Sequence, residues 1–153
     1  MQLSIIAASN RQPQWVEAAY ADFAKRFSGP VRLQYTQVRL SRDAVAQRRK
    51  AAEGERLLAA AGRSDYIVAL HETGRSWTTR QLAVEFDRWM SESLNPCFLI
   101  GGPDGLAADV LAAANVLWSL SPLTLPHGLA RVVATEALYR ASSLRSGHPY
   151  HRE

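Results

Sequence analysis

Residues 98–106 read FLIGGPDGL, from Phe98 to Leu106. An apolar run breaks here into a glycine-proline turn that carries an acid, the pattern of a strand ending in a ligand-binding loop. Glycines directly after a strand let a ligand approach backbone amides that a Cβ would shield. Loops at the carboxyl ends of strands are where open α/β sheets bind ligands. A plain tight turn has the same composition, so this motif alone leaves both readings open. It does argue against a dinucleotide-binding fingerprint, which needs GxGxxG after the first strand, where this chain has Ser9-Asn10-Arg11-Gln12. No GxxxxGK[ST] phosphate loop occurs either.

Outward from that stretch, short apolar runs alternate with helical patterns, which predicts an α/β fold with a mostly parallel sheet and helices on both faces. Strands are expected at Leu3 to Ala8, Val31 to Val38, Tyr66 to Leu70, Pro96 to Ile100 and Trp118 to Leu120. Helices are expected over Pro13 to Phe27, Asp43 to Ala61, Thr78 to about Ser91, and Leu106 to about Asn115. Trp15, Ala19, Phe23 and Phe27 recur at helical spacing in the first, and Gly62 closes the second. Thr78 with Gln81 resembles a capping box. Pro126, at a first helical position, opens a last helix to about Leu144. His71 to Trp77 reads as a loop and the tail from Arg145 as irregular.

The chain has 153 residues, 47% of them hydrophobic and 21% charged, which suits a single globular domain over residues 1–153. Eighteen basic residues against 14 acidic ones give a net charge of +4, an excess that favours polyanionic partners. The only cysteine, Cys97, lies in an apolar run, so a buried, inert thiol in a reducing cytoplasm is expected. No basic leader and no apolar stretch of about 20 residues is present, so a soluble protein with no membrane partner is expected.

Three further segments carry chemistry. Ser119 to Pro126, SLSPLTLP, has two prolines and three leucines, an odd composition for a solvent-exposed connection. It suits either the flat face of an adenine, held by apolar contacts and fixed backbone groups, or a loop covered by a partner subunit. Arg39, Arg42, Arg48, Arg49 and Lys50, with the single acid Asp43 among them, form either a phosphate-contacting patch or a solvated helix face. In the tail, Arg140, Arg145 and Arg152 accompany Tyr150, His148 and His151, and basic residues interleaved with aromatics suit RNA. The HxxH spacing of His148 and His151 supplies too few ligands for zinc, so no metal is expected. No covalent nucleophile arrangement is evident. Glu136 and Arg140 are spaced for an ion pair within one helix.

FLIGGPDGL, WSLSPLTLPHGLARVVATEALYRA and HPYHRE closely resemble the RlmH family, SPOUT-class methyltransferases that modify N3 of a pseudouridine in large-subunit (23S) ribosomal RNA. The likeness spans essentially the whole chain. It implies a SPOUT-type fold with a trefoil knot in the carboxyl half, and knot loops that bind S-adenosylmethionine in a bent form. The cofactor-binding candidates are then Leu70, His71, Gly101, Gly102, Ser121, Pro122, Leu123, Thr124, Leu125 and Pro126. It also implies a cytoplasmic homodimer acting on the ribosome, with the last helix in the interface and the tail completing the partner's site. Arg131, Arg140, His148, Tyr150 and Arg152 become candidates for holding RNA. His151 or Glu136 becomes the candidate that helps remove the imino proton. One departure stands out: the family often has an acid after the leucine of strand three, in a segment like LDxxG, where this chain reads Leu70-His71-Glu72-Thr73-Gly74. Competing expectations are a related enzyme with another RNA target and a non-catalytic, RNA-binding ribosome assembly factor.

Overall fold

A computed structural model of the chain describes residues 1–62 and 64–152, with His151 and Arg152 described by their backbone alone. The strands are β1 (Gln2–Ala8), β2 (Arg32–Val38), β3 (Tyr66–Arg75), β4 (Pro96–Ile100) and β5 (Val116–Trp118). They alternate with α1 (Gln14–Ala24), α2 (Ala46–Ala61), α3 (Thr79–Ser91), α4 (Ala108–Ala113) and α5 (His127–Arg145). Among the described residues the strands form one sheet in the order β2-β1-β4-β3-β5, and every pairing is parallel.

Alternation along the strands divides the core in two. Leu3, Ile5 and Ala7 of β1, Val68 of β3, and Phe98 and Ile100 of β4 pack with Leu82, Phe86 and Trp89 of α3 and with Ala134, Leu138 and Ala141 of α5. The intervening Ile6, Ala8, Ala69, Cys97 and Leu99 pack with Leu57 and Ala61 of α2 and with Leu106, Ala107 and Val110 around α4. Helices therefore cover both faces, as the sequence pattern predicts. Every residue of β4 is buried, which is why its run is apolar without alternation. Burial pushes the Cys97 thiol up to about 11, with a hydrogen bond from Ser64 working the other way. No helix among the described residues is long and apolar enough to cross a membrane.

The observed elements correct several expected boundaries. β3 does not stop at Leu70 but runs on to Arg75, through the expected loop. Its register against β5 shifts, so that Leu70 and Arg75 both pair with Trp118, a bulge that absorbs the polar residues between them. A Cβ on Gly74 would lie 2.6 Å from the backbone carbon of Leu117, so only glycine lets the chain return to its neighbour. β5 starts at Val116, two residues earlier than expected. Asn115 secures that start: its N–H donates to the Ile67 carbonyl at 2.8 Å, and its Oδ1 accepts from the Ile67 N–H at 2.7 Å.

α2 begins at Ala46 because Asp43 Oδ1 accepts from the Val45 N–H at 2.8 Å, a local turn that competes with helix. α4 is likewise confined to Ala108–Ala113, and α1 to Gln14–Ala24 with Pro13 as its N-cap. Pro126 is the N-cap of α5, not its first residue. The tail, expected to be irregular, forms a 3-10 turn over Pro149–Arg152. The Thr78 capping box is present in full, with Thr78 Oγ1 accepting from the Gln81 N–H and Gln81 Oε1 accepting from the Thr78 N–H.

Candidate active site

The carboxyl ends of β4, β3 and β5 are adjacent in the sheet, and the chain leaving each contributes to one cleft of about 790 Å³. That volume lies within the range of small-ligand sites, roughly 300–1,000 Å³. Gly101 to Leu106 form one wall, Leu70 to Glu72 a second, and Trp118 to Ser121 with Leu123 to Ala130 in part a third. Three segments remote in sequence therefore meet. Of the ten cofactor-binding candidates, nine line this cleft: Leu70, His71, Gly101, Gly102, Ser121, Leu123, Thr124, Leu125 and Pro126. Pro122 is not among the lining residues.

The glycine turn is compact. The Gly105 N–H donates to the Gly102 carbonyl at 2.9 Å, and Gly105 has a φ of +85°, a left-handed conformation that suits glycine. A Cβ on Gly101 would lie 2.7 Å from the Gly105 carbonyl carbon, and one on Gly102 would lie 2.6 Å from Glu53 Oε2. Gly101 is thus required by the loop's own backbone, whereas at Gly102 the space is taken by the end of the Glu53 side chain. The sequence suggests a different reason, ligand approach.

The opposite wall owes its shape to its own hydroxyls. Ser119 Oγ donates to the Ser121 carbonyl at 3.1 Å, and Ser121 Oγ accepts from the Leu123 N–H at 3.0 Å, a side-chain turn that fixes the loop. Leu123 remains 75% exposed, a large apolar side chain offered to whatever covers it.

His127 lines the cleft at the first turn of α5, yet sequence reasoning assigned it nothing. Burial, and secondarily the Arg131 charge, lower its pKa below the ordinary histidine value. Its Nε2 lies 3.1 Å from Gln12 Nε2, which also donates to the Asn10 carbonyl at 3.0 Å. With Gln12 donating, Nε2 accepts, so the neutral ring carries its proton on Nδ1. The signal available in the sequence was its place directly after Pro126, at a helix start.

The tail candidates occupy a different place. Glu136 Oε1 accepts from Arg140 Nε at 2.8 Å and from the Tyr150 hydroxyl at 3.0 Å. Tyr150 packs against Tyr139 and Phe23, and the Arg26 and Arg140 guanidiniums lie over its ring at 5.6 and 4.9 Å. His148 packs edge-on against Tyr139. Glu136, Arg140, His148 and Tyr150 are thus brought together, but none lines the cleft of the same chain. Arg131 is 1% exposed, its guanidinium 4.1 Å from the Tyr35 ring centroid, 5.1 Å from that of Tyr20 and 2.8 Å from Glu17 Oε1. As placed, it ties α5 to α1 and β2 inside the protein, away from any surface RNA could reach on this chain. The side chains of His151 and Arg152 lie outside the described residues.

The basic stretch divides. Arg39, Arg42 and Arg48 are exposed, Lys50 lines the cleft, and Arg49 is engaged by Asp104. Among the described residues no group of three or more His, Cys, Asp or Glu side chains is arranged to hold a metal.

Known proteins resemble this chain in sequence and in fold. A family model described as predicted SPOUT methyltransferase matches residues 1–151. The ribosomal RNA large subunit methyltransferase H of Pseudomonas fluorescens is 45% identical, covering 99% of this chain and all of its own. That of Hahella chejuensis is 43% identical over the full length of both. In fold alone, a probable methyltransferase from Bordetella pertussis Tohama I is similar at a TM-score of 0.54 and 14% identity, covering 91% of this chain and 95% of its own. TrmJ from Z. mobilis ZM4 is similar at 0.53 and 13%, covering 94% and 70%. With two of the segments that carry the likeness, the glycine turn after β4 and the loop after β5, meeting in one cleft, and similarity running from end to end, the chain belongs to the ribosomal RNA large subunit methyltransferase H family of SPOUT methyltransferases.

Proposed function

We propose that residues 1–153 act as a single domain that transfers a methyl group from S-adenosylmethionine to N3 of a pseudouridine in large-subunit ribosomal RNA, in the cytoplasm. The observation that carries this reading is the convergence of the β4, β3 and β5 exits on one cleft. The residues present fit such a donor. Leu70, Ile100, Leu120, Leu123 and Leu125 offer apolar surface for an adenine, while the glycine turn presents backbone, and Lys50 and Glu72 offer charges to an amino-acid end. His71, in the place of the family's usual acid, leaves main-chain contacts intact.

When bound, S-adenosylmethionine supplies a methyl already activated by its sulfonium. The protein's task is then alignment and exclusion of water. The leucine-rich wall removes water from the cleft, and the serine-pinned backbone keeps that wall in place. N3 carries an imino proton that must leave before the nitrogen can attack, so a base or an electropositive site favouring the anion is required. Glu136, held by Arg140 and Tyr150, and His151 are the groups proposed for that proton. Arg140, His148, Tyr150 and Arg152 are proposed to hold the RNA, and the same role for Arg131 would require its buried side chain to be uncovered.

Because Glu136, Arg140, His148 and Tyr150 cluster away from the cleft of their own chain, we propose that they complete the cleft of a second copy in a homodimer. Exposed Leu123 suits the same covered surface. The family's trefoil knot belongs to this proposal. The chain leaving β5 returns to the exit of β4, which lies beyond β3 in the sheet, the kind of crossing such a knot requires.

The test is incubation with tritiated cofactor and ribosomes from a strain lacking the modification, followed by nucleoside digestion. The expected product is N3-methylpseudouridine. Label on another nucleoside would mean a different RNA target, and no label with tight ribosome binding would mean an assembly factor. Full activity in a Glu136→Ala, His151→Ala double variant would remove both proposed bases.

A further inference from the structure

The acid of the glycine turn and one arginine of the basic stretch answer each other across 55 residues of sequence. Arg49 Nε donates to Asp104 Oδ2 at 2.8 Å and Nη2 donates to Oδ1 at 3.2 Å, a two-pronged fork. Its remaining nitrogen, Nη1, donates to the carbonyls of Asp43 and Ala44 at 3.0 and 3.1 Å. All three guanidinium nitrogens are used, and one side chain ties the entry to α2 to the tip of the turn.

One helical turn on, Glu53 lies on the same face of α2. It is 2% exposed, and its Oε1 accepts from the Ser41 N–H at 2.9 Å while Oε2 stands directly beneath Gly102. Next to it, Gly54 lets α2 approach so closely that a Cβ there would sit 2.9 Å from the Ala107 Cβ. The helix thus backs the loop at its base, its tip and its exit. Gly102 and Asp104 line the cleft, whereas Arg49 and Glu53 stand behind it. The tip has little else to hold it: Pro103 and Gly105 are exposed, and the turn closes on a bridge between Gly102 and Gly105 in which the Gly105 N–H donates to the Gly102 carbonyl.

We propose that Arg49 is a positioning residue for the methyl donor, acting through Asp104 as a latch that holds the Gly102–Gly105 turn at the height the cofactor needs. This rests on the reading of the cleft as an S-adenosylmethionine site. A lysine at position 49 would keep the charge but not the fork, because an ammonium is a point donor and a guanidinium is planar and bidentate.

The experiment is a double-mutant cycle read by calorimetry with S-adenosylhomocysteine. Arg49→Lys and Asp104→Asn are each expected to weaken binding about tenfold, since small displacements of a positioned group are costly, and the double variant is expected to be no weaker than either single. Methyl transfer should show a raised KM for the cofactor with an unchanged KM for ribosomes and a nearly unchanged melting temperature. A merely structural role would lower the melting temperature and disturb both KM values. Arg56→Ala, on the same helix but bonded to the Arg39 carbonyl at 2.7 Å, serves as the control and should bind like the parent protein. Single variants that bind like the parent, or penalties that multiply in the double, would overturn the latch while leaving the cofactor reading intact. No binding by the parent protein would overturn both.

Discussion

Gly101→Ala is the substitution whose cost can be read most directly. The added Cβ would meet the Gly105 carbonyl carbon at 2.7 Å, its oxygen at 2.9 Å and the Leu106 nitrogen at 3.0 Å. Reaching ordinary van der Waals contact needs a retreat of about 0.7 Å. All three atoms are backbone, so no side chain can swing aside. The turn must open, straining the bond from the Gly105 N–H to the Gly102 carbonyl. Overpacking of this kind costs about 1–3 kcal/mol, which lowers the melting temperature of a domain this size by roughly 2–12 °C. If the turn supports the cofactor, displacing it by most of an ångström should also lower kcat/KM by about ten- to a hundredfold.

Gly62→Ala separates the two effects. Gly62 closes α2 away from the cleft with a φ of +58°, and a Cβ there would meet only the Ala59 carbonyl oxygen, at 4.0 Å. Its cost is conformational, about 1–3 kcal/mol, so it should destabilise the protein comparably while leaving S-adenosylhomocysteine affinity unchanged. Thermal unfolding and calorimetry on both variants make the comparison. A Gly101→Ala protein with unaltered affinity would refute the claim that this turn positions the ligand. An unaltered melting temperature would refute the packing argument itself.

Leu123→Ala should raise the cofactor KM, which steady-state kinetics will show, and should change the unfolding free energy of the separated monomer by less than about 0.5 kcal/mol, as for a site exposed on one chain. Phe86→Ala removes a side chain with no exposure between α3 and β4 and should cost about 3–5 kcal/mol in urea unfolding. The pKa of His127 is lowered by burial, so the folded protein binds its proton less readily than the unfolded chain. Stability should therefore be full above the ordinary histidine value of about 6.5 and decline as pH falls below it. A His127→Asn variant should lose that part of the dependence in pH-resolved denaturation.

Some of this architecture was plain in the sequence because its cause is local. Phe98 to Ile100 read as a buried strand since the run is apolar and ends in glycine, and the Thr78–Gln81 box closes within four residues. What was not legible depends on partners far along the chain. Glu72, Thr73 and Gly74 have a loop's composition, and β3 continues past them only because Arg75 returns to pair with Trp118 of β5 and Gly74 clears the Leu117 backbone. Asn115 looked like the end of a helix, but its side chain is engaged by Ile67. His127 carried no motif, and its presence in the cleft follows from where α5 begins. The tail residues read as an RNA-facing set, and the fold assembles Arg140, His148 and Tyr150, though around Tyr139 and Phe23 instead of around the cleft of the same chain.

In the glycine turn, packing supplies a reason for glycine that the motif does not show. Open approach for a ligand would account for side chains missing from the cleft side. It does not explain why the directions their Cβ atoms would take are already filled, by the Gly105 backbone at Gly101 and by Glu53 and Leu40 at Gly102. A loop occupied from behind has little freedom to choose its own height, so the floor of the cleft is set by the helix beneath it. Arg49, Glu53 and Gly54 are successive contacts of that helix with the loop, and none would be singled out by searching for ligand-facing residues. If the cleft holds the methyl donor as proposed, variants of α2 that spare stability should change its affinity as variants of FLIGGPDGL do, and calorimetry on them measures that influence.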